Sequence, residues 1–262
     1  MYYLEAIILG VIQGITEFFP ISSSGHLLIG RNIFKLDDFG LIIEVSLHIG
    51  TLFAILLFWK NDLVNEFKEI SNGNIKLALN IVIGSIPAAL VGLLYREEIK
   101  KIFFDIYSIG YLIPIYFIMA LLIYVSKFYH NNKRTNIEFF ESFIIGIAQS
   151  IAIIPGFSRS GLTILAALIL GVNFKYSMKF SFMLAIPILI FAGLQLFLKD
   201  YSLIFSNNDL LFFLLIGVIT SSISGYFILS MLENIINKNK FWYFSFYCLL
   251  ISLLLLIFVY GN

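Results

Sequence analysis

Residues 6–29 read AIILGVIQGITEFFPISSSGHLLI, and residues 142–170 read SFIIGIAQSIAIIPGFSRSGLTILAALIL. Each has an apolar half, then a polar break centred on Pro20 or Pro155, then a second apolar half. A helix interrupted in this way at membrane depth is tolerated only where it lines a protein interior or a wet cavity. The two stretches also match each other. Glu5, Gly10, Gln13, Ser22, Ser24 and Gly25 recur as Glu141, Gly146, Gln149, Ser158, Ser160 and Gly161, all 136 positions on. Pro20 and Pro155 match with a one-residue gap. Downstream, IPAALVGLL from Ile86 echoes IPILIFAGLQL from Ile186 at an offset of 100, which implies extra residues in the first half. This is an internal duplication, and interrupted segments at corresponding places in two halves, about 1–135 and 136–262, point to a shared site at the midplane.

Composition agrees with a membrane setting. Sixty per cent of the 262 residues are hydrophobic and 13% are charged, with a mean hydropathy of +0.96. A soluble domain carries about 25% charged residues. Stretches without Asp, Glu, Lys or Arg run over Val45–Trp59, Leu77–Tyr95, Ile106–Ser126, Ser142–Ser158, Ser160–Phe174, Phe180–Leu198, Leu210–Leu232 and Phe241–Asn262. Five or six reach the length of about 20 residues that a spanning helix needs. Trp59, Tyr95, Tyr129, Trp242 and Tyr260 sit near run ends, as interfacial anchors do. The runs do not alternate in polarity, which excludes a β-barrel. The fold expected is therefore one all-α polytopic membrane domain over residues 1–262, with two broken-helix segments.

A net charge of +1 gives no field for nucleic acid. One cysteine, Cys248, excludes an internal disulfide and a cysteine metal site. The N-terminus lacks the basic region of a cleavable signal peptide. Lys and Arg are spread over the polar gaps without an asymmetry that sets orientation.

The breaks hold the residues suited to chemistry. Gln13 and Glu17, four apart, share one helix face. A carboxylate inside an apolar stretch is costly and marks function. With an amide oxygen beside it, Glu17 suits a hard cation, Mg²⁺ or Ca²⁺. Pro20–His26 follows, with serines placed to cap a helix whose N-terminus faces an anion. Ser22 and Ser24 read as caps. Ser23 and His26 are spaced so that the imidazole can approach the hydroxyl as a base. In Pro155–Thr163, Arg159 is the one arginine within an apolar region, since Arg31, Arg96 and Arg134 lie at ends or in loops. Its guanidinium fork matches a phosphate. Ser158, Ser160 and Thr163 add hydroxyls, and Gly156 and Gly161 permit close backbone approach. Glu44 and His48, four apart at the start of a span, line a cavity or face water. Glu5 and Glu141 begin helices, Lys179 is ambiguous, and His130, in a basic loop, is assigned nothing.

QGITEFFPISSSGH from Gln13 and PGFSRSGLT from Pro155 resemble the undecaprenyl-diphosphatase family of the bacitracin-resistance type, and the likeness extends along essentially the whole chain. The resemblance implies an inverted repeat with two re-entrant helix pairs. It also implies a site open to the outer face of the bacterial cytoplasmic membrane, and dephosphorylation of undecaprenyl diphosphate with a divalent metal to recycle the cell-wall carrier lipid. The matching site positions are Gln13, Glu17, Ser23, His26, Ser158, Arg159, Ser160 and Thr163, with Ser22 beside them. Gln13 replaces the Glu of many relatives, and Cys248 stands where some carry Arg. The nucleophile stays open between Ser23, His26 and a metal-bound water. The partners implied are a polyprenyl diphosphate, membrane lipids and a second copy in a homodimer. A lipid flippase using the same site is the alternative activity.

Overall fold

A computed structural model describes residues 3–36, 39–95, 98, 108–129 and 131–261. His130 lies outside the described residues, as do Arg96, Lys100 and Lys101. The described residues are helical, joined by turns and one isolated β-bridge between Arg134 and Val172. The helices are α1 (Tyr3–Phe18), α2 (Ser23–Phe34), α3 (Gly40–Phe58), α4 (Lys60–Ser71), α5 (Lys76–Leu94) and α6 (Ser108–Val125). They continue as α7 (Phe139–Ile151), α8 (Arg159–Ile169), α9 (Phe174–Ser206), α10 (Asn208–Asn237) and α11 (Phe244–Tyr260).

Six helices, α3, α5, α6, α9, α10 and α11, are long and apolar enough to cross a bilayer. Their lipid-facing sides are apolar, as Leu94, Phe227 and Ile257 show, each more than half exposed. Pro87, Pro114 and Pro187 lie inside spans, which membrane helices tolerate because neighbours re-satisfy the freed backbone groups. The interrupted stretches become the short pairs α1–α2 and α7–α8. Ser22 caps α2 by accepting from the Gly25 N–H, and Ser158 caps α8 by accepting from the Gly161 N–H. Glu5 and Glu141 do stand in first turns, where the helix dipole favours an acid.

Close backbone contact holds each short pair against a span. A Cβ on Gly14 of α1 would lie 2.7 Å from Ser221 O of α10. A Cβ on Gly146 of α7 would lie 2.4 Å from Gly84 O of α5. Small residues at such crossings are the usual means of packing helices in lipid, where no hydrophobic force draws them together. α4 has no buried residue, so it stays at one membrane face and turns the chain from α3 into α5. That face also carries the starts of α7 and α9. Lys76 pairs with Glu138 at 2.8 Å, and Arg134 holds Glu141 through two bonds of 2.9 and 2.7 Å. Lys179, ambiguous in the sequence, pairs there with Asp62 of α4. Trp59 departs from its expected role as a lipid-facing anchor: it is 5% exposed and packs in the core.

Candidate active site

The two breaks meet in the protein interior. Arg159, at the first turn of α8, forms an ion pair with Glu17, near the end of α1. The backbone turns touch as well. Ser160 Oγ donates to Phe19 O at 3.3 Å, and the Gly156 N–H donates to Ser24 Oγ at 3.4 Å. Gly156 has φ +96°, a conformation that side-chain-bearing residues rarely adopt, and Ile115 and Leu112 lie 2.9 Å from where a Cβ would be.

Glu17 is the hub. One carboxylate oxygen, Oε1, takes Arg159. The other, Oε2, accepts from Ser23 Oγ at 2.7 Å and from Gln13 Nε2 at 3.1 Å, and faces His48 Nε2 at 3.3 Å. His48 Nδ1 lies 2.7 Å from Glu44 O. A carbonyl only accepts, so Nδ1 carries a proton, and an Nε2 facing a carboxylate carries one too. This assigns His48 as a second cation beside Glu17. Glu44 in turn pairs with Arg31 at 3.0 Å. Arg31 stands in the last turn of α2, at an end as the sequence reading has it, but it is buried rather than solvated. It is 3% exposed, and only a glycine at position 40 leaves room for its Nη1, 1.5 Å from an added Cβ.

A cavity of about 620 Å³ opens onto this hub. Glu17, Ser23, Ser24, His48, Ser158 and Arg159 line its floor, while Ala88, Ile188, Leu189 and Phe191 form apolar walls. Leu41, Gly92 and Lys199 also line it, so it extends toward the face where α3 begins and α5 ends.

The remaining site candidates do other work. Ser22, Ser160 and Thr163 are no more than 1% exposed and do not line the cavity. Ser22 caps α2, and Thr163 Oγ1 donates to Arg159 O at 2.8 Å and meets Ser181 Oγ at 2.6 Å. In this arrangement they shape the breaks. Ser158 both caps α8 and lines the cavity. His26 does not make the contact with Ser23 that the spacing allows. Its Nδ1 turns back to Ser22 O at 2.7 Å and to Tyr116 Oη at 3.0 Å, and its Nε2 meets Tyr247 Oη at 2.8 Å. The helical turn that brings positions 23 and 26 near also places a carbonyl within reach of Nδ1, and that carbonyl wins. His26 pins the start of α2 to α6 and α11.

The model for the bacitracin resistance protein BacA family matches residues 6–254. This chain belongs to the BacA family. Full-length relatives agree. An undecaprenyl-diphosphatase of Carboxydothermus hydrogenoformans is 34% identical over 98% of this chain and 97% of its own length. One of Saccharophagus degradans is 36% identical over 96% of each chain, and one of Methanococcus vannielii 35% identical over 98% and 100%.

Two departures from the BacA pattern now have positions. Gln13 is fully buried, and its amide donates to Glu17 where a second acid would repel it. Cys248 is buried in α11 with Sγ 3.6 Å from Pro20 O, behind the first break and next to Tyr247. For a divalent cation the donors are few: no group of three His, Cys, Asp or Glu residues that could hold a metal ion occurs among the described residues. Gln13 Oε1, however, is buried without a partner beside the Glu17 carboxylate. Mg²⁺ commonly takes one or two protein oxygens and completes its shell with substrate phosphates and water, and this pair fits that demand.

Of the two alternatives read for Glu44 and His48, the structure takes the first: both line the cavity. Glu44 and His48 had a signal in their four-residue spacing. Tyr116, Tyr247 and Arg31 had none, because their partners lie on other helices or across a chain turn.

Proposed function

We propose that this BacA-family chain hydrolyses undecaprenyl diphosphate, or a related polyprenyl diphosphate, to the monophosphate and phosphate, recycling the carrier lipid of cell-wall synthesis. One observation carries the reading: a cavity-lining serine hydroxyl is hydrogen-bonded to a buried carboxylate that also holds a guanidinium. The names of the relatives agree with it.

In the mechanism, Arg159 and His48 face the diphosphate from the floor while the apolar walls take the first prenyl units. Ser23 gives its proton to Glu17 and its Oγ attacks the terminal phosphorus. The bond from that phosphorus to the bridging oxygen breaks, and the polyprenyl monophosphate leaves with the electron pair. Protonation of Glu17 removes the negative charge that had held Arg159 and His48, so both cations turn to the phosphoryl oxygens as charge develops there. Water then attacks the phosphoserine phosphorus and gives a proton to a phosphoryl oxygen, the bond from phosphorus to Ser23 Oγ breaks, Glu17 returns its proton to Oγ, and phosphate departs. Positioning and charge supply most of the catalysis in such transfers. A divalent cation, Mg²⁺ or Ca²⁺, would be held by Glu17 and Gln13 and would supply further charge neutralisation. The geometry favours Ser23 over His26, which reaches neither Ser23 nor Glu17.

The same proposal includes an inverted repeat and two re-entrant pairs. Helix bounds support it at an offset of 136: α2 starts at Ser23 and α8 at Arg159, and α6 ends at Val125 while α11 ends at Tyr260, within one residue of that register. α3, shifted equally, falls within α9, and α5 within α10. The echo between Ile86 and Ile186 links α5 with α9 and is not part of this register. Five residues separate α2 from α3, and four separate α8 from α9, so each pair returns to the face it left. Tracing the spans also supports an outward-facing cavity. Among the described residues, the face with the end of α3 carries Lys and Arg in the segments 60–76, 127–134, 175–179 and 238–240, against Lys35 and Lys199 on the cavity side. Positive residues collect on the cytoplasmic side. A homodimer belongs to the proposal, and cross-linking in membranes tests it.

The deciding experiment is phosphate release by purified protein from a polyprenyl diphosphate, with and without Mg²⁺ or Ca²⁺. Release that depends on Ser23 and Arg159 supports hydrolysis. Absence of release under all conditions, with lipid still bound or moved, replaces the enzyme with a flippase.

A further inference from the structure

The cavity has a side as well as a mouth. α5 and α9 both leave the face that holds α4 and run toward the mouth. They touch where a Cβ on Gly84 would lie 2.9 Å from Leu184 Cδ1. Seven positions on, two turns further along the same side of α9, stands Phe191. Gly193, nearly opposite on that helix, faces α3 instead, with Ile49 3.3 Å from an added Cβ. Phe191 therefore borders α5. Across from it are Ala89 and Gly92, near the end of α5. All three line the cavity, yet Phe191 is 49% exposed and Ala89 is exposed as well. A glycine on a membrane helix usually receives a close neighbour, as Gly14 and Gly146 do here. A Cβ on Gly92 would meet nothing within 4 Å. The wall between α5 and α9 is thus open at this level.

We propose that the polyprenyl chain of the substrate leaves the cavity sideways through this slot, and that Ala89, Gly92 and Phe191 set which chains the site accepts. This path rests on the hydrolysis proposed above and supplies the route that a long lipid needs. A cavity of about 620 Å³ takes roughly one drug-sized ligand, so a long chain cannot follow its diphosphate inside. Leaving by the mouth would carry it past Lys199 and Asp200 into headgroups and water, where apolar surface is disfavoured. Phe191 lies eight residues before Lys199, about 12 Å deeper along the helix axis. At that depth the slot opens into hydrocarbon, and its rim of alanine, glycine and phenylalanine offers the chain no polar group.

Two measurements on the full-length protein in vesicles test the path. The first compares kcat/KM for undecaprenyl diphosphate with that for geranyl diphosphate, whose short chain ends inside the cavity. Gly92→Phe fills the slot where no neighbour stands. It should lower the long-to-short ratio by roughly tenfold or more, the scale on which a pocket discriminates by size. Adding Phe191→Ala reopens the slot and should restore most of the ratio. Leu90→Phe, on the lipid side of α5, should leave the ratio unchanged, and thermal unfolding shows that the variants fold. A ratio that Gly92→Phe does not change, or that Leu90→Phe lowers as much, overturns the proposal. The second measurement does not need hydrolysis. A polyprenyl diphosphate with a diazirine a few prenyl units from the diphosphate should label α5 and α9 around Gly92 and Phe191. Labelling confined to other helices, or absent, overturns the proposal. Labelling at the slot without phosphate release from either substrate supports the path and overturns the hydrolase.

Discussion

Arg159→Lys separates charge from geometry at the meeting of the two breaks. Arg159 is 17% exposed in its side chain and pairs with a Glu17 side chain that is 5% exposed. Its second nitrogen reaches Ser181 O at 3.5 Å, so the fork spans two directions. A lysine keeps the positive charge for Glu17 but addresses one oxygen at a time. Loss of one preorganised donor to the transition state lowers kcat by roughly 10²–10³, about 2.7–4 kcal/mol. Stability should change little, because Glu17 stays paired. Arg159→Met is the contrast. It leaves a buried carboxylate short of a cation, which costs about 3–5 kcal/mol for a broken buried pair, softened here by His48, Ser23 and Gln13. The assay is phosphate release against polyprenyl diphosphate concentration in detergent, with thermal unfolding of each variant. The reasoning predicts a fall in kcat for the lysine variant near wild-type Tm, and a fall in both for the methionine variant. If Arg159→Lys instead keeps kcat within about threefold while KM rises, the guanidinium supplies only uniform binding. An unshifted Tm for Arg159→Met would refute the buried-pair argument.

Ser23→Ala should reduce phosphate release by roughly a thousandfold or more while the lipid still binds, as loss of a nucleophile does; near-full activity assigns the attack elsewhere. Gly156→Ala forces a side chain onto a left-handed turn against Ile115 and Leu112 and should destabilise the fold by more than about 1 kcal/mol; thermal unfolding checks it. Lys76 donates two hydrogen bonds to Glu138, which hold that carboxyl below the usual glutamate range. A depressed carboxyl stabilises the fold above its unfolded value and loses that contribution as pH falls through its folded one. The Tm difference between wild type and Lys76→Gln should therefore be present at neutral pH and disappear in acid, and a difference that persists in acid removes the charge argument.

The sequence by itself determined the solvent and the architecture's grain. Apolar runs of spanning length exclude a soluble fold, because the bilayer core admits only backbones whose hydrogen bonds close within the segment. Pro20 and Pro155 located the breaks, since each removes a backbone donor where the helix would continue. Glu17 and Arg159 stood out because an unpaired charge in that setting is too costly to keep. Tertiary structure decided everything that depends on two helices meeting. It paired Glu17 with Arg159 across 142 positions and turned His26 toward Tyr116 and Tyr247 instead of Ser23. It brought His48 to the carboxylate and buried Arg31 against Glu44. Spacing along one helix fixes which residues share a face. Which neighbour that face meets is fixed only by packing, and packing chose a carbonyl for His26 and a carboxylate for His48.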